Sequence, residues 1–136
     1  MPYTITHDTE LDLVELTFIG SISGADLKEA TTNCSKLQKV TGVRRFLVDG
    51  SDWDVVASAV DIYDLPDKQY WNERIQIETR IAVVLPNSAR SQEAALFYEN
   101  ACQNRGWNAQ VHLDRQSAVD WLTESIMTSW SGMGDG

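Results

Sequence analysis

Acidic side chains crowd one short stretch of the chain. Asp49, Asp52 and Asp54 lie close together, with Ser51 among them. Carboxylate and hydroxyl oxygens are hard ligands, and such a group could hold a divalent cation. However, the spacing lacks the glycine and the distal glutamate of a calcium-binding loop, and aspartates also form turns readily. We therefore favour a solvated acidic loop and predict neither a metal nor a cofactor.

Aromatic side chains are concentrated in the segment that follows. They are Trp53, Tyr63, Tyr70 and Trp71. Aromatic groups often anchor protein interfaces or wall apolar pockets. They also cover sheets as ordinary core, although aromatics mixed with this much charge are less usual in a pure core helix. The sequence leaves core, pocket and partner surface open for this segment.

A third group of polar residues marks the start of a predicted helix. Asn87 and Ser88 follow an apolar run that Pro86 ends, and Arg90 comes next. Free N–H groups at a helix N-terminus could hold an anion, with Arg90 beside them. Capping by Asn87 or Ser88 explains the same residues equally well.

No constellation of residues points to catalysis. His7 and His112 are isolated on outward positions of predicted strands, without a second ligand or nucleophile at a useful spacing. The chain has no Gly-x-Ser-x-Gly motif, no Cys–His arrangement and no glycine-rich phosphate loop. We predict no catalytic residues and therefore no enzyme.

The overall charge excludes several classes of partner. The 136 residues include 20 Asp and Glu against 11 Lys and Arg, a formal charge of −9. Nucleic acids and anionic membranes require a basic face, so both are unexpected. No apolar run approaches the roughly 20 residues of a spanning helix, and the N-terminus does not resemble a signal peptide. We predict a cytoplasmic protein in which Cys34 and Cys102 are buried, reduced thiols.

The periodicity of the sequence predicts strands that alternate with helices. Tyr3 to His7 and Leu13 to Ile19 alternate as an antiparallel hairpin. Ser23 with Asp26 three residues on resembles a capping box, and the helical stripe that follows ends at Gly42. The runs Val43 to Asp49 and Thr79 to Leu85 are apolar on both faces, as in buried parallel strands.

The remaining elements are less regular. The next helix has a stripe of Ala94, Phe97, Ala101 and Cys102. The strand from Trp107 to Leu113 has one wet face, with Ala109, Val111 and Leu113 inward, and Asp114 caps a final helix. Between residues 51 and 76 two helix starts compete, Ser58-x-x-Asp61 and Asp64 followed by Leu65-Pro66. We predict a short turn near 58–63 and a helix from about 65 to 74.

These elements give an α/β fold with a mixed five-stranded sheet and about four helices. The N-terminal hairpin is antiparallel and the remaining strands are parallel. We predict one domain over residues 1–125, followed by a flexible tail at 126–136. In such sheets, binding sites lie beyond the carboxyl ends of the strands, which places the polar groups described above at one edge.

Several segments resemble the SpoIIAA-like group of STAS and SEC14-type domains. The resemblance covers roughly residues 3 to 123, and it is carried by Phe46-Leu47-Val48-Asp49, Tyr63-Asp64-Leu65-Pro66, Arg80-Ile81-Ala82-Val83-Val84, Phe97-Tyr98-Glu99 and Ala118-Val119-Asp120-Trp121-Leu122. It implies a SpoIIAA-like fold. The best-known branch, the anti-sigma-factor antagonists, switches partners through phosphorylation of a serine in an Asp-Ser-Ser-Gly turn.

That phosphorylation motif does not carry over to this chain. The corresponding stretch is Ala57-Ser58-Ala59-Val60, so alanine replaces the phosphorylated serine. Ser58 matches the first serine of the motif and is better explained as a helix cap.

The resemblance implies a non-catalytic regulatory or protein-interaction module that acts as a homodimer or with a protein partner. The alternative is a domain that binds a small apolar, lipid-like ligand beneath residues 51–74. For either function the candidate binding residues are those named above: Asp49, Ser51, Asp52, Trp53, Tyr63, Tyr70, Trp71, Asn87, Ser88 and Arg90. From Asp49 to Asp67 there are six aspartates and no Lys or Arg. A partner of this region should therefore be neutral or basic, and its binding should weaken with salt.

Overall fold

A computed structural model describes residues 3–124 of the chain. The tail predicted for residues 126–136 lies outside the described residues. None of the helices within residues 3–124 is long and apolar enough to cross a membrane.

The main sheet of the described chain has five strands: β1 (Tyr3–Asp8), β2 (Leu13–Phe18), β4 (Arg45–Asp49), β6 (Arg80–Val84) and β7 (Asn108–His112). Their order in space is β1-β2-β4-β6-β7. The β1–β2 pair is antiparallel, and every later pair is parallel. The predicted mixed sheet is therefore confirmed. A separate two-stranded ribbon joins β3 (Gly20–Ile22) to β5 (Trp53–Val55).

Four helical segments pack on the sheet. They are α1 (Gly24–Thr41), a composite segment from Ala59 to Asn72, α4 (Ala89–Asn104) and α5 (Arg115–Thr123). The composite segment consists of α2 (Ala59–Asp64), a π-helical stretch (Leu65–Gln69) and a short α3 (Tyr70–Asn72). We refer to it below as the covering helix.

Both faces of the central strands are buried, as their unbroken apolar runs predict. Phe46, Ile81 and Val83 join the larger core beneath α1, α4 and the covering helix. Leu47 and Ala82 alternate with them and pack with α5 in a smaller core on the opposite face. This alternation follows from the two-residue period of a strand. As a result α1, α4 and the covering helix pack on one face of the sheet, and α5 packs on the other.

The predicted helix ends are confirmed by capping bonds. Ser23 and Asp26 form a reciprocal capping box at the start of α1. Gly42 ends α1 with φ of 76°, a left-handed conformation that favours glycine. Ser88 caps α4, and Asp114 caps α5. Local hydrogen bonding between near neighbours accounts for all four positions.

The predicted helix boundary near residue 65 is wrong. The helix begins at Ala59, because Ser58 and Asp61 form a second capping box. Pro66 does not end it, although proline lacks an N–H for the α-helical bonding pattern. The Leu65 N–H bonds to the Ile62 carbonyl, and the turn then widens so that the Tyr70 N–H bonds to the Leu65 carbonyl. A π-helical turn thus absorbs the proline within a continuous helix.

Two predicted inward faces also need correction. Leu113 is 83% exposed because β7 ends at His112. His112 was predicted to face outward, but it is half-buried and its ring lies 5.5 Å from that of Trp121 on α5. In α4, Phe97 is exposed, and Ala95 takes the inward position instead.

The two cysteines are free and buried, as predicted. Burial raises the pKa of both the Cys34 and the Cys102 thiol to about 12, because the apolar surroundings disfavour the thiolate. Both residues therefore behave as core side chains.

A buried amide joins three elements at the amino end of the sheet. The Gln38 Nε2 atom donates to the Val43 carbonyl at 3.0 Å and to the Thr79 hydroxyl at 2.8 Å. The Gln38 Oε1 atom accepts from the Gln76 N–H at 3.0 Å. Gln38 and Thr79 are both almost completely buried, so water cannot replace these bonds.

We expect Gln38→Leu to lower the free energy of unfolding by about 2–4 kcal/mol, because it leaves buried polar groups without partners. Urea denaturation of Gln38→Leu and of Lys39→Leu provides the measurement and its control, since Lys39 is exposed on the same helix. Equal effects in the two variants would contradict the structural role of Gln38.

Candidate functional site

Two loops meet at the carboxyl edge of the sheet. The Asp49 Oδ1 atom accepts from the Ser51 N–H at 3.1 Å and from its hydroxyl at 2.9 Å. The Ser51 carbonyl then accepts the Asn87 N–H at 3.3 Å. Asp49 is thus committed to shaping the turn after β4, and Asn87 joins that turn to the loop after β6.

Trp53 turns its ring back onto the core. Its centroid lies 4.9 Å from the Phe18 ring, and the indole packs so closely over Gly50 that any Cβ there would collide with it. The Trp53 ring is half-buried, and its indole nitrogen is buried without a hydrogen-bond partner in the described chain. Trp53 therefore anchors the loop while β5 pairs with β3.

The solvent-facing side of the same segment mixes acidic and apolar groups. Asp52 and Asp54 are exposed, and neither carboxylate forms an ion pair within residues 3–124. Val56 and Val60 are 45% and 67% exposed. An apolar side chain on the surface is ordinary, but two beside unpaired carboxylates form a mixed surface suited to contact. We call the stretch from Asp52 to Val60 the edge segment.

The other aspartates of this region have partners. Asp61 belongs to the capping box with Ser58, and its carboxylate lies directly against Gly24 at the start of α1. The Asp64 carboxylate lies 3.8 Å from the Lys68 ammonium, and that of Asp67 lies 2.9 Å from the Arg105 guanidinium. The local excess of negative charge is therefore smaller than the sequence count suggested.

The start of α4 is explained by capping. The Ser88 hydroxyl oxygen accepts the Ser91 N–H at 3.2 Å. Asn87 and Arg90 are exposed beside it. Asn87 thus contributes its backbone to the edge, and Ser88 satisfies a free N–H of the helix.

Three aromatic residues of the predicted site lie elsewhere, along the covering helix. The Arg105 guanidinium lies 4.9 Å from the Tyr63 ring centroid. The Trp71 and Tyr70 rings lie 4.4 and 5.4 Å from that of Trp107, whose indole N–H donates to the Pro66 carbonyl at 3.0 Å. These contacts fasten the covering helix to the segment that joins α4 to β7.

Tyr70 belongs to the interior rather than to the surface. It is 6% exposed, and its hydroxyl forms a short hydrogen bond with that of Tyr98. Burial raises the pKa of both tyrosines well above the ordinary value, because the phenolate would be poorly solvated. Both groups are therefore neutral at physiological pH.

Two small apolar cavities adjoin this tyrosine pair. Their volumes are about 60 and 50 Å³. Leu16, Thr31, Val48, Tyr70 and Tyr98 line both of them. Trp53 lines the smaller cavity only. A space of this size accommodates small apolar groups but not an acyl chain.

The structure does not assemble the acidic residues into a cation site. Within residues 3–124, no group of three or more His, Cys, Asp or Glu side chains has an arrangement that could hold a metal ion.

Comparison with known proteins rests on structure alone. The sequence matches no known protein-family model, and no curated protein matches it. One similar solved structure is an uncharacterised DUF3478-family protein with a SpoIIAA-like fold from Shewanella loihica PV-4. It has a TM-score of 0.55 and 17% identity over 88% of this chain and 91% of that chain. The chain has a SpoIIAA-like fold. A second structure is the anti-sigma factor antagonist SpoIIAA in its unphosphorylated form, with a TM-score of 0.55 and 12% identity over 90% of this chain and 99% of that chain.

The SpoIIAA-like fold divides the predicted site residues into two sets. One set lies at the carboxyl edge, at the end of β4, the start of β5, the start of α4 and in the loops between them: Asp49, Ser51, Asp52, Trp53, Asn87, Ser88 and Arg90. Tyr63, Tyr70 and Trp71 lie along the covering helix, where their rings contact side chains of α4 and the segment before β7. The first set remains a predicted binding surface.

Sequence reasoning missed several contributors to this region. Val56 and Val60 were not recognised as exposed apolar residues, and Tyr98 was not recognised as a partner of Tyr70. The β3–β5 ribbon was also missed, although Gly20-Ser21-Ile22 and Trp53-Asp54-Val55 each have the alternation of a short strand. Three residues of alternation are too few to indicate a strand without its partner.

We expect Trp53→Ala to destabilise the protein by about 2 kcal/mol and to lower its Tm by several degrees, because the ring packs on Phe18 and Gly50. Val60→Ala is the control, since that exposed side chain should cost less than about 0.5 kcal/mol. Thermal denaturation followed by circular dichroism compares them. Equal Tm values would mean that the Trp53 ring is a surface contact and not a core anchor.

Proposed function

We propose that this chain is a non-catalytic regulatory module of STAS type that acts in the cytoplasm by binding a protein partner at its carboxyl edge. The SpoIIAA-like fold supports a regulatory or interaction role, because a solved protein of this fold is an anti-sigma factor antagonist. Within residues 3–124, the serine hydroxyls of the edge are used in turns and caps: Ser51 donates to Asp49, and the Ser58 and Ser88 hydroxyls accept backbone N–H groups.

The observation that carries this proposal is the composition of the edge segment. Val56 and Val60 expose apolar surface, and the neighbouring Asp52 and Asp54 carboxylates have no cationic partner within the described residues. Hydrogen bonds hold the backbone beneath them, from the Gly20 N–H to the Asp52 carbonyl and from the Val56 N–H to the Ile22 carbonyl. A rigid backbone with a mixed apolar and acidic surface reduces the entropy lost on binding.

The chemistry of this surface restricts the partner. Exposed carboxylates favour a basic group opposite, and the valines favour an apolar contact beside it. The fitting partner therefore presents Lys or Arg next to aliphatic side chains. The candidate residues Ser51, Asn87 and Arg90 adjoin the segment and would form the polar rim of the contact.

The proposed contact does not depend on a phosphorylated serine at the position used by the antagonists. Ala59 has no hydroxyl there, and the Ser58 hydroxyl accepts the Asp61 N–H at 3.1 Å. Regulation of this contact would therefore depend on the abundance of the partner or on the state of the partner itself.

We expect Val60→Asp to weaken partner binding about tenfold or more, because it places a charge in the apolar part of the contact. Cross-linking in cells followed by affinity capture identifies proteins attached to the edge segment, and titration with the purified partner gives the Kd.

Val40→Asp is the matched control for this measurement. It introduces the same charge at an exposed valine near the end of α1, at the opposite end of the sheet. Retained binding by Val40→Asp, together with weaker binding at higher salt, supports the proposal. Equal loss or equal retention in the two variants would count against the edge segment.

The two cavities favour a second candidate function, the binding of a small apolar ligand. They lie beneath the covering helix, and most of their lining surface is apolar. Thr31, Tyr70 and Tyr98 bring hydroxyls to both cavities, and Ser35, Gln38 and Thr79 also line the larger one. An engineered apolar cavity of about 150 Å³, more than twice the volume of either cavity here, is known to bind benzene or xenon. The ligand class is therefore compact and apolar.

Benzene is the probe for this second function. Saturating benzene should raise the Tm of the wild-type protein by mass action, whereas Ala94→Leu should reduce that shift by filling the smaller cavity. The absence of a Tm shift in the wild-type protein, with unchanged methyl NMR signals for Leu16 and Val48, would exclude ligand binding in these cavities.

A further inference from the structure

The two outer edges of the main sheet are treated differently. At β7, the Val111 N–H donates to the Glu99 carboxylate at 2.6 Å, and the Ala109 carbonyl accepts from the Gln103 amide at 2.9 Å. Residues 109 and 111 share one side of the strand, and the His112 carbonyl on the other side accepts the Leu85 N–H after β6. Two side chains of α4 therefore occupy backbone groups that would otherwise be open to another strand.

The opposite edge, β1, has no comparable protection. Among the strands of residues 3–124, its only neighbour in the sheet is β2. Within residues 3–124, no side chain forms a hydrogen bond with the backbone of residues 3–7. An antiparallel pair leaves alternate residues of its outer strand with N–H and C=O groups that point away from the partner. These groups are a template for a further strand.

The side chains of β1 do not prevent a further strand from pairing at this edge. Tyr3–Asp8 contains no Lys, Arg or Pro, which are common protections of an edge strand. Its pairing with β2 runs without a bulge from Tyr3 opposite Phe18 to Asp8 opposite Leu13. Thr4 and Thr6 are exposed and uncharged. The strand is therefore regular, neutral over most of its length and accessible.

We propose that β1 pairs in antiparallel fashion with β1 of a second copy of this chain, across a two-fold axis. The pairing would extend the two five-stranded sheets into one continuous sheet. A two-fold interface presents the same patch on both subunits, and an antiparallel strand paired with itself satisfies that requirement directly.

The alternation of side chains fixes the register. Residues paired across the two strands must point to the same face of the sheet. The two-fold axis must therefore lie where a residue faces the same residue of the partner copy, and it cannot lie between two adjacent positions of the strand. An axis at Ile5 places Ile5 opposite itself, Thr4 opposite Thr6 of the partner copy, and Tyr3 opposite His7. Threonine pairs and apolar pairs are favourable across strands. This register also leaves Asp8, the only carboxylate of the strand, outside the paired residues.

A second copy fits this edge because of its charge and symmetry. The chain carries a net charge of −9, so two copies approach best where both surfaces are neutral. The stretch from Tyr3 to His7 has no acidic side chain, in contrast to the edge segment. Because the paired strands are short, the dimer should be weak and dependent on concentration. Added salt should favour it by screening the repulsion between the copies.

Sedimentation equilibrium over a wide concentration range tests the dimer, with Thr4→Lys/Thr6→Lys as the blocking variant. In the proposed register each new lysine lies opposite a lysine of the partner copy, and like charges there are destabilising. We expect dimerisation to weaken at least tenfold. The variant has a charge of −7, since −9 + 2 = −7, so reduced overall repulsion cannot explain a loss.

Thr17→Lys/Asn100→Lys is the control with the same net charge. Thr17 lies on the same face of the sheet but on β2, one strand in from the edge, and Asn100 is exposed on α4. A dimer that survives in the control but not in the blocking variant supports strand pairing. A monomer at all concentrations, or equal effects of the two variants, overturns it. A monomer would leave the β1 edge open to a strand of another protein.

Disulfide trapping tests the register separately. A mixture of Thr4→Cys and Thr6→Cys chains should form a cross-linked heterodimer on mild oxidation, whereas each variant alone should form little. The native Cys34 and Cys102 are buried and do not compete. Similar cross-linking in all three samples, or none in the mixture, overturns the proposed register. The dimer can be tested separately from the proposed partner contact at the edge segment. Val60→Asp should weaken that contact and leave the dimer unchanged.

Discussion

Burial of β4 and β6 on both faces is the constraint on which the rest of this structure depends. Their alternating apolar side chains require cover on two sides. On one side α5 packs on Leu47 and Ala82. On the other side α1, α4 and the covering helix share the larger area. The connections after β4 and β6 must therefore both return across the same face, which leaves their loops together at the carboxyl edge.

The covering helix spans that face and is fastened by contacts with the segment that joins α4 to β7. Pro66 interrupts the α-helical bonding, and the π-helical turn exposes a carbonyl that accepts the Trp107 indole. Arg105 adds a contact to the Tyr63 ring and an ion pair with Asp67. With the helix held in this way, its first turn positions Val60 at the surface. The aromatic residues of this region thus maintain the surface that the edge segment presents.

Sequence reasoning succeeded where short-range chemistry decides the structure. The capping boxes at Ser23 and Ser58, the stop at Gly42 and the double burial of the central strands each depend on neighbours along the chain. The roles of the aromatic residues could not be predicted in the same way. An aromatic residue that anchors a helix and one that binds a partner look the same in the sequence. The contacts of Tyr70 and Trp71 with Trp107, which lies far along the chain, identify both residues as helix anchors.

Counting charge along the sequence overstates the charge of the surface that results. Folding gives Asp61 a backbone partner and gives Asp64 and Asp67 cationic partners, whereas Asp52 and Asp54 keep exposed carboxylates. The exposed carboxylates of the edge segment are thus those of Asp52 and Asp54, which lie in sequence beside two exposed valines. The β1 strand, which has no acidic side chain from Tyr3 to His7, lies at an outer edge of the same sheet. Because salt screens attraction at the first surface and repulsion between copies at the second, the two proposed associations should respond to ionic strength with opposite sign.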